Sequence, residues 1–255
     1  MSKQASGRAQ TVNAGRPWLG LTAFAGVSAT FVMGLVVAPK DEQQRDAYRL
    51  LYMHVPAAWL AYLAFTVTAI ASALYLVPRT RHLRWDYLAG ASGELGVMFT
   101  ALMLAGGSLW GKPVWGQWWA WEARLTTTAI LLFLYLGYLA LRRIGGSPQQ
   151  RATRSAIAGL IAFIDVPIVH FSVSWWATLH QEGSVFNDKM QLHIRDGVMQ
   201  FTLLLAVASF TLLYVWMCMR RMELLALDEG LAERELQLAI DERSNRPATT
   251  NPVTV

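Results

Sequence analysis

Six stretches of the chain are almost uninterruptedly apolar, and most polar residues are gathered into the segments between and after them. The stretches are Pro17–Ala38, Val55–Val77, Leu88–Trp110, Leu125–Leu141, Ser155–Val173 and Gly197–Met219. A helix crossing the hydrocarbon layer needs about 17–25 predominantly apolar residues, and each stretch qualifies. Four of the six carry no charge in their interior, and Glu94 and Asp165 interrupt the other two. The pattern predicts an all-α, polytopic membrane protein with six transmembrane helices. Beyond the sixth, Leu224, Leu227, Leu231 and Leu238 recur near helical spacing in a Glu-, Leu- and Ala-rich segment, which predicts an amphipathic helix over 222–243. Residues 244–255 are rich in Pro, Thr and Asn and read as a disordered tail. The chain therefore divides into an N-terminal tail (1–16), a six-helix membrane domain (17–221) and a helix with its tail (222–255).

Composition agrees with this division. The chain is 54% hydrophobic and 15% charged, against about 25% charged in an ordinary soluble domain. The first stretch is too long for the apolar core of a cleaved leader and reads as a retained signal-anchor. Lys and Arg are distributed unevenly. The N-terminal tail, the 78–87 and 142–154 loops and the C-terminal tail hold 15 of the 22, and the 39–54, 111–124 and 174–196 loops hold the other seven. Positive residues concentrate on the cytoplasmic side, so both termini are expected to be cytoplasmic and the three less basic loops external. The net charge of +5 follows from this bias and gives no argument for nucleic acid. Cys218, the single cysteine, cannot form an intramolecular disulfide. No C-x-x-C-H run occurs, which excludes c-type covalent haem attachment to this chain.

The external segment Trp110–Arg124 reads W-G-K-P-V-W-G-Q-W-W-A-W-E-A-R and packs five tryptophans into 12 residues between the third and fourth spans. An ordinary interfacial belt of aromatics is sparser. The run predicts an aromatic surface for a large, flat, amphipathic ligand, for lipid, or for both. His54, at the mouth of the second span beside Pro56, and His180, just beyond the fifth, bracket it at matched membrane depth. Trp175 and Trp176 lie at the same interface. Two neutral imidazoles across an aromatic floor fit bis-His ligation of haem iron. Arg124, Lys112, Arg45 and Arg49 are the cations at the correct depth for propionates. Zinc fits less well, because it wants four tight ligands and these loops hold no Cys. His193 is also external, His82 is in a cytoplasmic loop, and His170 lies within the fifth span. Glu94 and Asp165 are expected to form interhelical hydrogen bonds.

Together, W-G-K-P-V-W-G-Q-W-W-A-W-E-A-R-L-T, Y-M-H-V-P-A-A-W around His54 and P-I-V-H-F-S-V-S-W-W-A-T-L-H-Q from Pro167 to Gln181 resemble the tryptophan-rich "WWD" superfamily of haem-handling proteins. Within it the chain, over roughly residues 17–220, is most similar to the haem exporter protein C family of bacterial cytochrome c maturation. The resemblance implies His54 and His180 as axial ligands of non-covalent haem b. It implies Trp110, Gly111, Trp115, Gly116, Trp118, Trp119, Trp121, Glu122 and Arg124 as the cofactor-binding surface. Glu122 departs from the usual Asp by one methylene. Further implied are a multi-pass protein of the bacterial inner membrane and delivery of haem to a membrane-anchored periplasmic haem chaperone. The implied partners are the ATP-binding and membrane subunits of an ABC transporter and a small single-span subunit, with no catalytic turnover by this chain. Two other readings compete. A haem lyase of the same superfamily carries more helices and a second histidine pair. A small-molecule permease fits the buried Glu94 and Asp165 but not five external tryptophans.

Overall fold

The computed structural model of the protein describes residues 17–180 and 196–245, which are almost entirely helical. Helix α1 (Pro17–Val32) continues through a five-residue π turn, Met33–Val37, and closes where the Ala38 N–H donates to the Met33 carbonyl. A 3-10 turn, Asp46–Leu50, leads into α2 (Leu51–Leu76). Then follow α3 (Leu83–Trp115), α4 (Ala123–Arg143), α5 (Pro148–Phe163), α6 (Asp165–Trp175) and α7 (Gly197–Asn245). By length and composition six of these units are fit to cross a membrane, with α5 and α6 forming the fifth jointly. The described part of the chain is an all-α, multi-pass architecture.

Local chemistry sets the boundaries. Ser147 accepts from the Gln150 N–H while the Gln150 side chain accepts from the Ser147 N–H, a reciprocal cap with Pro148 in the first turn of α5. Pro167 has no N–H to give the Phe163 carbonyl, and the fifth span breaks there, between Phe163 and Asp165. Asp196 caps α7 by accepting from the Met199 N–H at 2.9 Å. The third helix runs on five residues past its expected end, so Trp110 to Trp115 are helical despite Pro113, and the loop proper is only 116–122. Gly116, at φ +77°, ends it in the left-handed conformation that glycine adopts without strain.

Helices α2 and α3 form the central pair of the bundle. Phe65 of α2 stacks on Tyr135 of α4 with centroids 3.7 Å apart, and Phe99, Tyr138 and Tyr214 complete an aromatic core. Helix α1 docks mainly on α7. There a Cβ at Gly26 would stand 2.5 Å from the Ser209 hydroxyl, so the small residue permits close approach. At 33 residues α3 is about 50 Å long, and α7 at 49 residues about 74 Å. Both exceed a hydrocarbon layer of roughly 30 Å. Helix α7 passes the expected boundary at 221/222 without a break. Glu229 ties it to α5, accepting from Arg151 at 2.7 Å, and from Leu231 to Asn245 every residue is exposed. The tail beyond Asn245 lies outside the described residues.

Candidate functional site

One end of the bundle holds a cleft that opens to the surface. His54, Tyr62, Gly107, Trp115, Arg124 and His180 are among the residues lining it. They come from α2, α3, α4 and the turn after α6.

His54 is the fourth residue of α2. The 3-10 turn begins the helix before the expected Val55, so Pro56 is the sixth residue of α2. The His54 ring lies edge-on to Trp110, centroids 5.7 Å apart, and packs against Gly106 and Gly107 of α3. A Cβ at Gly107 would stand 3.0 Å from His54 Cε1. His54 Nδ1 is buried with no close hydrogen-bond partner, and the Met103 backbone is the acceptor that the ring faces.

His180 is held quite differently. Its Nδ1 lies 2.7 Å from Glu122 Oε1, and its ring stands edge-on to Trp115 at 5.0 Å between centroids. Glu122 caps α4, with Oε1 accepting from the Leu125 N–H at 3.2 Å. Its Oε2 accepts from the Leu179 N–H at 3.1 Å, and the His180 N–H donates to Thr178 Oγ1 at 2.8 Å. Burial alone would raise the Glu122 carboxyl, but the hydrogen bond from Thr178 and the adjacent His180 outweigh it and hold the group below its ordinary value. Burial pulls the His180 imidazole down, against the opposing charge of Glu122 and with the help of Arg124. The contact is thus a hydrogen bond from a neutral imidazole to a carboxylate, and a coordinating nitrogen is available at neutral pH.

Arg124, in the first turn of α4, donates from Nη2 to the His170 carbonyl at 3.1 Å and from Nε toward Ser172 Oγ at 3.5 Å. It does not pair with Glu122, and among the described residues it forms no salt bridge. Of the four cations expected near the ligand, Arg124 alone lines the cleft. Arg49 is taken by Asp46 at 3.0 Å and the Gly34 carbonyl at 2.6 Å. Lys112 donates to the Gly116 carbonyl at 3.0 Å and sits over the Trp118 ring. Arg45 is exposed, at φ 55° in the turn before α2.

The tryptophans divide into two sets. Trp115 lines the cleft, and Trp110 flanks His54 while its Nε1 donates to Gln44 Oε1 at 2.8 Å. Trp118 and Trp121 face outward, the latter 86% exposed, as do Trp175 and Trp176. Trp119 lies between the sets, half-buried, its Nε1 without a partner and its ring edge-on to Trp121. Gly111 is buried under Trp115: a Cβ there would meet Trp115 Cε3 at 2.9 Å. The segment is thus a wall and a rim, not one continuous floor.

Sequence reasoning missed Tyr62, Gly107, Gln44 and Thr178. The adjacent glycines Gly106 and Gly107 near the outer end of the third span were a readable signal for close approach. The others had none. Glu94 pairs with Arg221 of α7, Nη2 to Oε1 at 2.9 Å, which is the interhelical bond expected of it. Asp165 Oδ2 is buried without a partner. His170 is exposed, edge-on to Tyr62 and Phe171. His82 caps α3 by accepting from the Arg84 N–H, and His193 lies outside the described residues.

Residues 3–237 match the family model for haem exporter protein C. The chain is 41% identical to the haem exporter protein C of Bradyrhizobium diazoefficiens over 202 residues, 78% of this chain and 74% of the relative. Identity to that of Escherichia coli K12 is 37% over 211 residues, 83% of each chain. A cytochrome c biosynthesis ccmC-like mitochondrial protein of Marchantia polymorpha is 39% identical over 178 residues, 70% of this chain and 73% of the relative. The chain belongs to the haem exporter protein C family.

Proposed function

We propose that this member of the haem exporter protein C family binds haem b non-covalently at the outer face of the bacterial inner membrane. His54 and His180 are its axial ligands, and the chain hands haem to a membrane-anchored periplasmic haem chaperone during cytochrome c maturation. The observation that carries the reading is that these two imidazoles, from α2 and from the turn after α6, line one cleft. The bacterial relatives are named for haem export and the mitochondrial one for cytochrome c biosynthesis, and cargo and process come from those names.

The residues present fit such a cargo. His54 Nδ1 is buried without a partner, and the bare backbone of Gly107 makes room for the His54 ring. His180 is neutral and oriented. Haem supplies an iron that takes two axial nitrogens and propionates that seek cations. Arg124, unpaired with any carboxylate at the cleft wall, is the cation for a propionate, and its planar fork suits one. Trp115 and Trp110 give apolar contact. The Lys/Arg bias of the loops places the cleft end outward. The chain works beside the ATP-binding and membrane subunits of an ABC transporter and a small single-span subunit, as a carrier without turnover of its own.

Purified protein tests this directly. A Soret band with six-coordinate, low-spin character is expected. His54→Ala or His180→Ala lowers haem occupancy or leaves five-coordinate iron, and added imidazole partly restores the spectrum. Parental occupancy and spectrum in both variants would refute the assignment.

A further inference from the structure

The two imidazoles at the cleft are supported unequally, and the inequality traces to Glu122. A carboxylate offers only acceptors, so the 2.7 Å contact to His180 Nδ1 requires the proton on Nδ1 and leaves the Nε2 lone pair free. The carboxylate itself is fixed from several sides. The Leu125 N–H binds Oε1 and the Leu179 N–H binds Oε2. The Glu122 side chain is 7% exposed and that of His180 18%, so water competes little for this hydrogen bond. Trp115 fixes the plane of the same ring. His54 has no anionic support: its Nδ1 makes no close hydrogen bond, the acceptor facing its ring is the neutral Met103 backbone, and Trp110 and two glycines pack around it.

We propose that Glu122 is the positioning residue of the site, holding His180 as the Nδ1–H tautomer with Nε2 as donor, so that His180 is the stronger, retained ligand and His54 the one released first. This rests on the ligation reading above. An anionic hydrogen-bond acceptor behind a ligating imidazole raises its basicity and fixes its ring, and removing such a partner typically weakens metal binding about 10–100-fold. The same carboxylate serves three tasks. It caps α4, pins the 178–180 turn and selects the tautomer, so the start of the fourth span and the second histidine move as one piece.

The test uses the full-length protein in detergent or nanodiscs. Nitrogen-15 NMR of histidine-labelled, haem-free protein is expected to show His180 as the Nδ1–H tautomer, and Glu122→Gln to lose that preference. In haem titrations Glu122→Gln is expected to weaken affinity about 10–100-fold and to raise the midpoint potential, while Glu122→Asp restores both. The decisive comparison is between backgrounds. The effect of Glu122→Gln persists in His54→Ala and vanishes in His180→Ala if Glu122 acts through His180. An equal effect in both backgrounds would mean Glu122 merely caps α4, and would overturn the proposal, as would an Nε2–H tautomer in the parent. Parental haem affinity in both single histidine variants would instead bring down the ligation reading and this proposal with it.

Discussion

At the end of the bundle away from the cleft, buried Asp86 accepts from Arg142 through both carboxylate oxygens and from Arg151 at 3.0 Å. Arg151 continues to Glu229, and Glu94 meets Arg221. At the cleft end, His54 Nδ1 and Trp119 Nε1 are buried with no partner, Arg124 faces no carboxylate, and Trp118 and Trp121 stand in the open. Unsatisfied atoms also occur toward the far end: Arg151 Nε, Arg154 Nε and Glu229 Oε1 belong to groups whose other atoms are paired, while the Ser72 and Ser155 hydroxyls are small, uncharged and without a partner. One end uses charge to tie α3, α4, α5 and α7 together. The other leaves polar and aromatic capacity unspent within the protein, as a site that receives a ligand must. A group fully satisfied by its own chain has little left to offer a ligand.

The sharpest way to break this contrast is at Asp86. Replacing it by Ala strands the buried Arg142 guanidinium and leaves Arg151 with Glu229 alone, and removing one partner of a buried pair typically costs about 3–5 kcal/mol. Asp86→Ala is therefore expected to lower the thermal stability of the purified protein severely, while haem bound per folded molecule stays parental. A stable variant with impaired haem binding would invert the comparison.

A smaller effect of the opposite kind is expected at Gly107. The Cβ of Gly107→Ala would stand 3.0 Å from His54 Cε1, so the ring must shift by a few tenths of an ångström. Haem affinity is expected to fall by about tenfold, or roughly 1.4 kcal/mol, with the melting temperature nearly unchanged. A titration indistinguishable from the parent would mean that the position of the His54 ring is not set by its glycine neighbour.

The smallest effect belongs to the rim. Trp121 is 86% exposed, and exposed side chains away from special features usually change stability by within about 0.5 kcal/mol. Trp121→Ala is expected to leave melting and haem affinity alike, whereas Trp115→Ala lowers affinity. Equal losses from the two would restore the single aromatic floor that the sequence suggests.

How much of this was legible varies element by element. The six spans were readable because a bilayer demands long apolar helices and forbids buried unpaired charge, constraints that act residue by residue. His54, His180 and Arg124 stood out because few polar residues were available between those spans. The run of α3 to Trp115 was not readable, since Gly111, Pro113 and Gly116 together look like a loop, yet only Gly116 ends the helix. The division of the tryptophans was equally hidden, because composition counts rings without telling which way a helix turns them. So was the unbroken α7, whose membrane and extramembrane parts differ in pattern but not in backbone.

The sequence by itself determined the architecture class, the number of spans and the short roster of residues able to do chemistry. These follow from solvation and period, which are local. Only the tertiary structure decided which roster members meet: that Glu122 turns to His180 and not to Arg124, that Arg49 and Lys112 are consumed by their own neighbourhoods, and that His54 is left without a partner. Such outcomes depend on helix rotation and on competition among acceptors a few ångströms apart. Those separations are fixed when α2, α3 and α4 pack together, and no spacing along the chain encodes them singly.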